Sequence, residues 1–339
     1  MGQRFTYIDQ LKGFAMILVV AGHVMEFCLY NKEYSFLHDI IYSFHMPLFA
    51  FLSGLVSTTL FDYKQVAIKL AKQSCRLLVP FFSMGIVYIC TIRSGESFLF
   101  QPFKQGLWYL LFLWECYFIS HIYNVCLFGK LKKRTYLFDV CWVAIVFVTV
   151  KLMIVYCSVE FNNIVGTLHL LRLYPFFFLG CIFRRMKCLP PPQWKINPWI
   201  PSAFCLIWII LLWNIKVIPG KYLFKFSFVI ETSAIFPIVF IFSKYGNRMN
   251  KRVSDVMIMF GKYSLGIYMF HRFMTDTLNL YIIGDYIHLT GSYFVEFILV
   301  FTIALLMCFL SVGLVKVLSY NNFCSFLLLG NMDCLMKRT

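Results

Sequence analysis

The chain has 339 residues, of which 60% are apolar and only 14% charged, and its mean hydropathy is +0.75. Soluble domains run at about 45–50% apolar and about 25% charged, so a water-exposed globule is excluded. The net charge of +16 does not point to nucleic acid, because the basic residues form short clusters between apolar runs rather than lining one face.

A membrane-crossing helix takes about 20 apolar residues. Spans of that kind are predicted near 11–30, 39–60, 76–93, 106–128 and 137–157, then near 165–183, 199–215, 223–243, 256–275 and 292–318. The first resembles a signal peptide only weakly, since no small-x-small cleavage site follows Ala15–Ala21, and it is read as a retained anchor. Phe, Tyr and Trp make up 19% of the chain and gather near span ends, as interfacial belts do.

Alternate connecting segments differ in charge. One set carries Arg4; Lys64, Lys69, Lys72 and Arg76; Lys130, Lys132, Lys133 and Arg134; Arg184, Arg185, Lys187 and Lys195; Lys244, Arg248, Lys251 and Arg252; and Lys337 with Arg338. The opposite set holds only Lys32, Arg93, Lys104, Lys216 and Lys221. The positive-inside rule then places both termini in the cytoplasm, as an even number of spans requires. The expectation is an all-α, polytopic integral membrane protein of about ten transmembrane helices, a single membrane-embedded domain over 1–339. The longest loop, Cys188–Pro198, is too short for a soluble catalytic domain. The thirteen cysteines are scattered through apolar stretches without a Cys-x-x-Cys pair, so they read as small buried hydrophobes, and no metal site is expected.

Ionisable groups inside spans are costly and mark a pathway or a site. They are His23, Glu26, His45, Glu115, Lys151, His169, Arg172, Glu231, Lys262, His271 and Arg272. Lys12 and His23 are eleven positions apart, close to three full turns, and share one face of the first helix. The axial distance is roughly 16 Å, which puts Lys12 at the cytoplasmic mouth and His23 past the midplane. Such a pair can hold an anionic group at the mouth and its reactive end inside; alternatively, Lys12 only snorkels and His23 is a packing residue. Gly13 and Gly22 leave room for a ligand or for another helix. Glu26 is one turn beyond His23, where it can orient the ring as the carboxylate of a triad does.

In the second span, Pro47 follows His45 and frees a backbone carbonyl that must be satisfied internally. His169 and Arg172 lie at i,i+3 in the sixth span, and so deep an arginine calls for an anion such as Glu26 or Glu231. Ser264, Tyr268 and His271 form a polar stripe in the ninth. Arg76 opens the third span beside Lys69 and Lys72, a cluster that serves topology and can also bind phosphate.

These residues together resemble the type-3 membrane acyltransferases, which O-acylate surface carbohydrates. The first helix is similar to the family's opening: Asp9, then Lys12-Gly13, then His23 after ten intervening positions. Phe44-His45-Met46-Pro47-Leu48-Phe49 with Phe51-Leu52-Ser53-Gly54 resembles the second helix of the sugar O-acetylase subgroup. Looser matches follow in order: Arg76 to Pro80, Leu107-Trp108-Tyr109-Leu110, Tyr174-Pro175-Phe176-Phe177-Phe178-Leu179-Gly180, and Tyr263-Ser264-Leu265-Gly266-Ile267-Tyr268 leading to His271. The family's basic residue is commonly Arg; here it is Lys12, which keeps the charge and loses the bidentate fork.

The resemblance implies a membrane O-acyltransferase of a bacterial-type inner membrane, moving an acyl group, usually acetyl, from cytoplasmic acetyl-CoA to a carbohydrate or lipid-linked glycan acceptor. His23, Glu26 and His45 are then the catalytic candidates, with His23 either a general base or a transient acyl carrier. Lys12 and Arg76 would bind coenzyme A phosphates, and His169, Arg172 and His271 the acceptor or the thioester carbonyl. Membrane lipids are the other partners, and no nucleic acid is expected. The rival reading is a transporter or flippase for a sugar or glycolipid, whose usual internal repeat is not visible between residues 1–160 and 165–339.

Overall fold

A computed structural model describes residues 6–29, 35–92, 98–128, 136–186, 197, 199–213 and 220–331, with the backbone alone at 92, 126–128, 136, 213, 220–226 and 288. Of the charges that set the expected orientation, Arg4, Lys32, Arg93, Lys130, Lys132, Lys133, Arg134, Lys187, Lys195, Lys216, Lys337 and Arg338 lie outside the described residues.

The described residues form helices and no strand. In chain order they are α1 (Thr6–Val24), continued by a π-helical turn over Met25–Leu29, then α2 (Phe36–Tyr42), α3 (His45–Leu55), α4 (Tyr63–Ile92) and α5 (Trp108–Ile122). Next come α6 (Tyr136–Tyr156), α7 (Val159–Val165), α8 (Thr167–Arg185), α9 (Trp199–Trp213) and α10 (Gly220–Tyr245). The series ends with α11 (Lys251–Lys262), α12 (Ser264–Thr277), α13 (Tyr281–Thr290), α14 (Tyr293–Ser319) and α15 (Asn322–Leu329).

Among the described residues, six stretches are long and apolar enough to cross a membrane: Thr6–Leu29, Tyr63–Thr91, Leu137–Tyr156, Val159–Arg185, Ser227–Arg248 and Tyr293–Ser319. They coincide with six of the ten expected spans. Of the other four, one is α5 continued by a π-helical stretch over Tyr123–Phe128, one is α9, and two are interrupted. The expected span 39–60 is α2 and α3, parted at Ser43–Phe44, where the Ser43 hydroxyl donates to Ile40 O at 2.7 Å. Pro47 therefore sits in the first turn of α3, where no i−4 hydrogen bond is lost, rather than breaking a longer helix. The expected span 256–275 is α11 and α12, parted at Tyr263 (φ −96°, ψ 11°). Lys262, read as intramembrane, is the exposed last residue of α11.

The chain divides into two compact units, 1–49 with 188–315 and 50–187 with 316–339. In the first, α1 is buried at every position from Ala15 to Gly22. Glycines let α11 close on it: a Cβ at Gly13 would meet Met257 O at 1.9 Å, and one at Gly261 would meet Asp9 O at 2.0 Å. Those pairings run in opposite chain order, so the chain reverses at Tyr263 before α12 climbs beside the end of α1. Gln10 Nε2 fastens the same corner, donating to Gly246 O at 3.1 Å and to Ser254 Oγ at 2.8 Å.

The second unit uses the same device. A Cβ at Gly54 on α3 would stand 1.8 Å from Phe177 O, and one at Gly180 on α8 would stand 2.1 Å from Phe51 O. Small residues of this kind let membrane helices approach backbone to backbone. Arg185 of α8 and Asp139 of α6 form an ion pair at 2.8 Å, with side chains 6% and 2% exposed; Tyr123 also donates to Asp139, at 2.5 Å.

Candidate active site

His23 is the penultimate residue of α1, just before the helix widens into its π turn, a local geometry that often accompanies functional positions. Its Nδ1 is 2.7 Å from Nε2 of His271 on α12, and the two rings are nearly parallel, 14° apart. His271 Nδ1 is in turn 2.8 Å from the carbonyl oxygen of Ile267, one turn earlier. A carbonyl only accepts, so His271 Nδ1 carries the proton and, in the neutral pair, its Nε2 is an acceptor. His23 Nδ1 must then donate. The lone pair of His23 is left on Nε2, which makes no hydrogen bond among the described residues.

Among the described residues Glu26 makes no hydrogen bond to the His23 ring; it lies in the π turn, and its carboxylate accepts from the Tyr42 hydroxyl at the end of α2. His271 orients His23 instead. Tyr42 joins several groups: its ring lies 2.9 Å from where a Gly22 Cβ would stand, stacks on His38 at 3.9 Å between centroids, and meets His45 edge-on at 4.8 Å. His45 Nδ1 is held 2.8 Å from Ile41 O, so this imidazole also spends Nδ1–H on the carbonyl one turn back. His38, Tyr42 and His45 fall at i, i+4 and i+7, a polar stripe legible in the sequence that reasoning from His45 alone passed over.

Both glycines of α1 are filled by protein, Gly13 by the α11 backbone and Gly22 by Tyr42. Lys12 is half-buried on α1. The first unit thus holds Lys12, His23, Glu26, His45 and His271, with Arg272 beside them.

Arg76, His169 and Arg172 belong to the second unit. Arg76 is exposed on α4, beside the glycine that ends α15: a Cβ at Gly330 would come 2.6 Å from Arg76 Cα. Arg172 is exposed on α8, one turn on from His169. His169 stacks on Trp108 at 4.0 Å, and its Nε2 donates to Pro102 O at 3.1 Å. Nearby, Lys104 is fully buried in the loop before α5, where Nζ donates to the carbonyls of Asn163 and Gln101. Burial brings its ammonium down to about 8, against the opposing pull of Glu115.

With six helices among the described residues long and apolar enough to cross a membrane, the chain is an integral membrane protein, and a part-buried imidazole pair joins the end of its first helix to α12. Its family is that described as an acyltransferase domain, which matches residues 5–313; the chain belongs to this type-3 acyltransferase family. It is similar to the nodulation protein NolL of Mesorhizobium japonicum, 26% identical over 52% of this chain and 46% of that protein. It is also similar to NolL of Sinorhizobium fredii, 27% identical over 52% of this chain and 47% of that protein. The chain spans about half the length of these curated relatives. No solved structure matches.

Proposed function

We propose that the protein is a membrane O-acyltransferase that moves an acyl group, acetyl in the first instance, from cytoplasmic acyl-CoA to a hydroxyl of a cell-surface polysaccharide, lipopolysaccharide or lipid-linked glycan. Family membership supports acyl transfer, and one observation carries the mechanism: the 2.7 Å bond from His23 to His271, which leaves a lone pair on His23 Nε2. In this reading Nε2 takes the proton of the acceptor hydroxyl as its oxygen attacks the thioester carbonyl. The imidazolium that forms keeps its Nδ1–H on His271, which Ile267 O holds in place. The proton then goes to the departing coenzyme A thiolate, and the product is an ester.

Lys12, on the His23 face of α1, and exposed Arg76 bind the coenzyme A phosphates. His45 with Tyr42 and Glu26, and His169 with Arg172, serve the acceptor. The protein would work as one membrane-embedded domain of ten spans, in a bacterial-type inner membrane with both termini in the cytoplasm.

The test uses inverted membrane vesicles supplied with radiolabelled acetyl-CoA on the outside, comparing wild type with His23→Ala at equal abundance. Label is expected in lumenal carbohydrate with wild type only. With acceptor confirmed present, absence of label from wild type would overturn acyl transfer, and equal label in both would overturn the role of His23.

A further inference from the structure

Arg272 follows His271 on α12, and its guanidinium lies over the Phe27 ring, 3.4 Å from the centroid. The Phe27 ring meets the His23 ring at 5.5 Å, so one aromatic ring separates the cation from the imidazole pair. Nη2 is 3.1 Å from Oδ1 of Asp276, one turn further along α12. Those two contacts fix the plane of the guanidinium: one edge is committed to the carboxylate and one face to the aromatic ring.

The other terminal nitrogen is unaccounted for. Nη1 is buried and has no hydrogen-bond partner among the described residues, on a side chain only 14% exposed. A cationic donor withdrawn from water without an acceptor is costly, and in an active site such a group is matched by an acceptor on the substrate. A purely structural arginine would be complete with Asp276 and Phe27. The uncommitted donor beside the imidazole pair is the feature that a structural role leaves over.

We propose that Arg272 is a further catalytic residue, whose Nη1 donates a hydrogen bond to the carbonyl oxygen of the acyl thioester; this rests on the acyl-transfer reading above. As the acceptor oxygen bonds to the carbonyl carbon and its proton passes to His23 Nε2, the carbonyl π pair moves onto oxygen, where the guanidinium holds the charge. The pair returns as the C–S bond breaks, and the thiolate leaves with the proton from His23. A fixed cationic donor acts most strongly where charge develops rather than where it already sits, so its contribution falls on turnover more than on binding. Lysine cannot replace it, because one ammonium cannot hold the Asp276 and Phe27 contacts while presenting a second donor in a fixed direction.

The test compares wild type, His23→Ala, Arg272→Lys and Arg272→Gln in the same vesicles, with acetyl-CoA and acceptor titrated separately and abundance matched by immunoblot. Arg272→Lys is expected to lower kcat by about a hundredfold while leaving KM for both substrates within about threefold. Arg272→Gln, which keeps a neutral donor, should lie between Arg272→Lys and His23→Ala or match Arg272→Lys. A kcat for Arg272→Lys within about threefold of wild type overturns the proposal. So does a loss confined to the KM of the acceptor, which would make Arg272 a sugar-binding group. Transfer by neither wild type nor His23→Ala would strike at the underlying reading; transfer by Arg272→Lys within about threefold of the wild-type rate, with none by His23→Ala, would sink this proposal alone.

Discussion

Gly13 is pressed against the backbone of Met257, so close that a Cβ would stand 1.9 Å from its carbonyl oxygen. The contact seats α11 on α1 one residue after Lys12, and it determines where α12, with His271, comes to lie. Backbone cannot yield as a flexible side chain can, so Gly13→Ala must push the helices apart. The expected cost is about 1–3 kcal/mol, seen as a lower melting temperature of the purified protein in detergent. Gly313→Ala, where a Cβ would meet nothing within 4 Å, is the control and should be neutral or slightly stabilising. Equal melting temperatures for Gly13→Ala and wild type would contradict the packing.

Tyr42→Phe tests a second relationship. It keeps the ring that fills the space at Gly22 and stacks on His38, and removes only the hydroxyl that donates to Glu26. Acyl transfer is expected to fall by roughly tenfold at unchanged abundance, about the worth of one charge-assisted hydrogen bond. Glu26→Gln retains an acceptor for Tyr42 and should be milder. If Tyr42→Phe transfers as fast as wild type, Glu26 does not act through Tyr42.

His271 should behave as a positioning residue rather than as a substrate ligand. His271→Leu removes the acceptor that fixes the His23 tautomer, and a wrong tautomer typically costs a hundredfold or more. His271→Gln can still accept from His23 Nδ1–H through its amide oxygen, so it should retain clearly more activity than the leucine variant. The two are compared by initial rates at saturating acetyl-CoA. Identical losses would show that what matters is the imidazole itself and not its acceptor nitrogen.

The parts of this structure legible in the sequence are those that one helix expresses alone. Runs such as Thr6–Leu29 and Tyr293–Ser319 announce themselves because hydropathy averages over a full membrane crossing. The same averaging hides the breaks at Ser43–Phe44 and Tyr263, since a single residue's φ and ψ leave the mean composition of a window unchanged. His23 and His271 are each visible as intramembrane imidazoles, but their partnership spans 248 residues and no periodicity reports it. Glu26 shows the converse: its spacing from His23 is that of a regular α-helix, while the chain is π-helical over Met25–Leu29 and Glu26 pairs with Tyr42, which hydropathy does not report. His38 and Tyr42 are legible upstream of His45, at helical spacing from it.

Lys104 makes the stability of the fold depend on pH. Burial lowers its ammonium from 10.5 to about 8, so between those values the folded chain binds fewer protons here than the unfolded chain does. Stability therefore rises with pH across that window, and the penalty of the buried charge is fully present below about pH 8. The shift corresponds to at most about 3.4 kcal/mol. Lys104→Met removes the titration while keeping a long side chain at the same left-handed backbone position, φ 46°, so backbone strain cancels in the comparison. The melting temperature of wild type minus that of Lys104→Met should climb from pH 8 to pH 10.5. Other titrating groups contribute equally to both proteins, so a difference that stays flat over that range would show that Lys104 keeps its charge in the fold, held by Glu115 and by the carbonyls of Asn163 and Gln101.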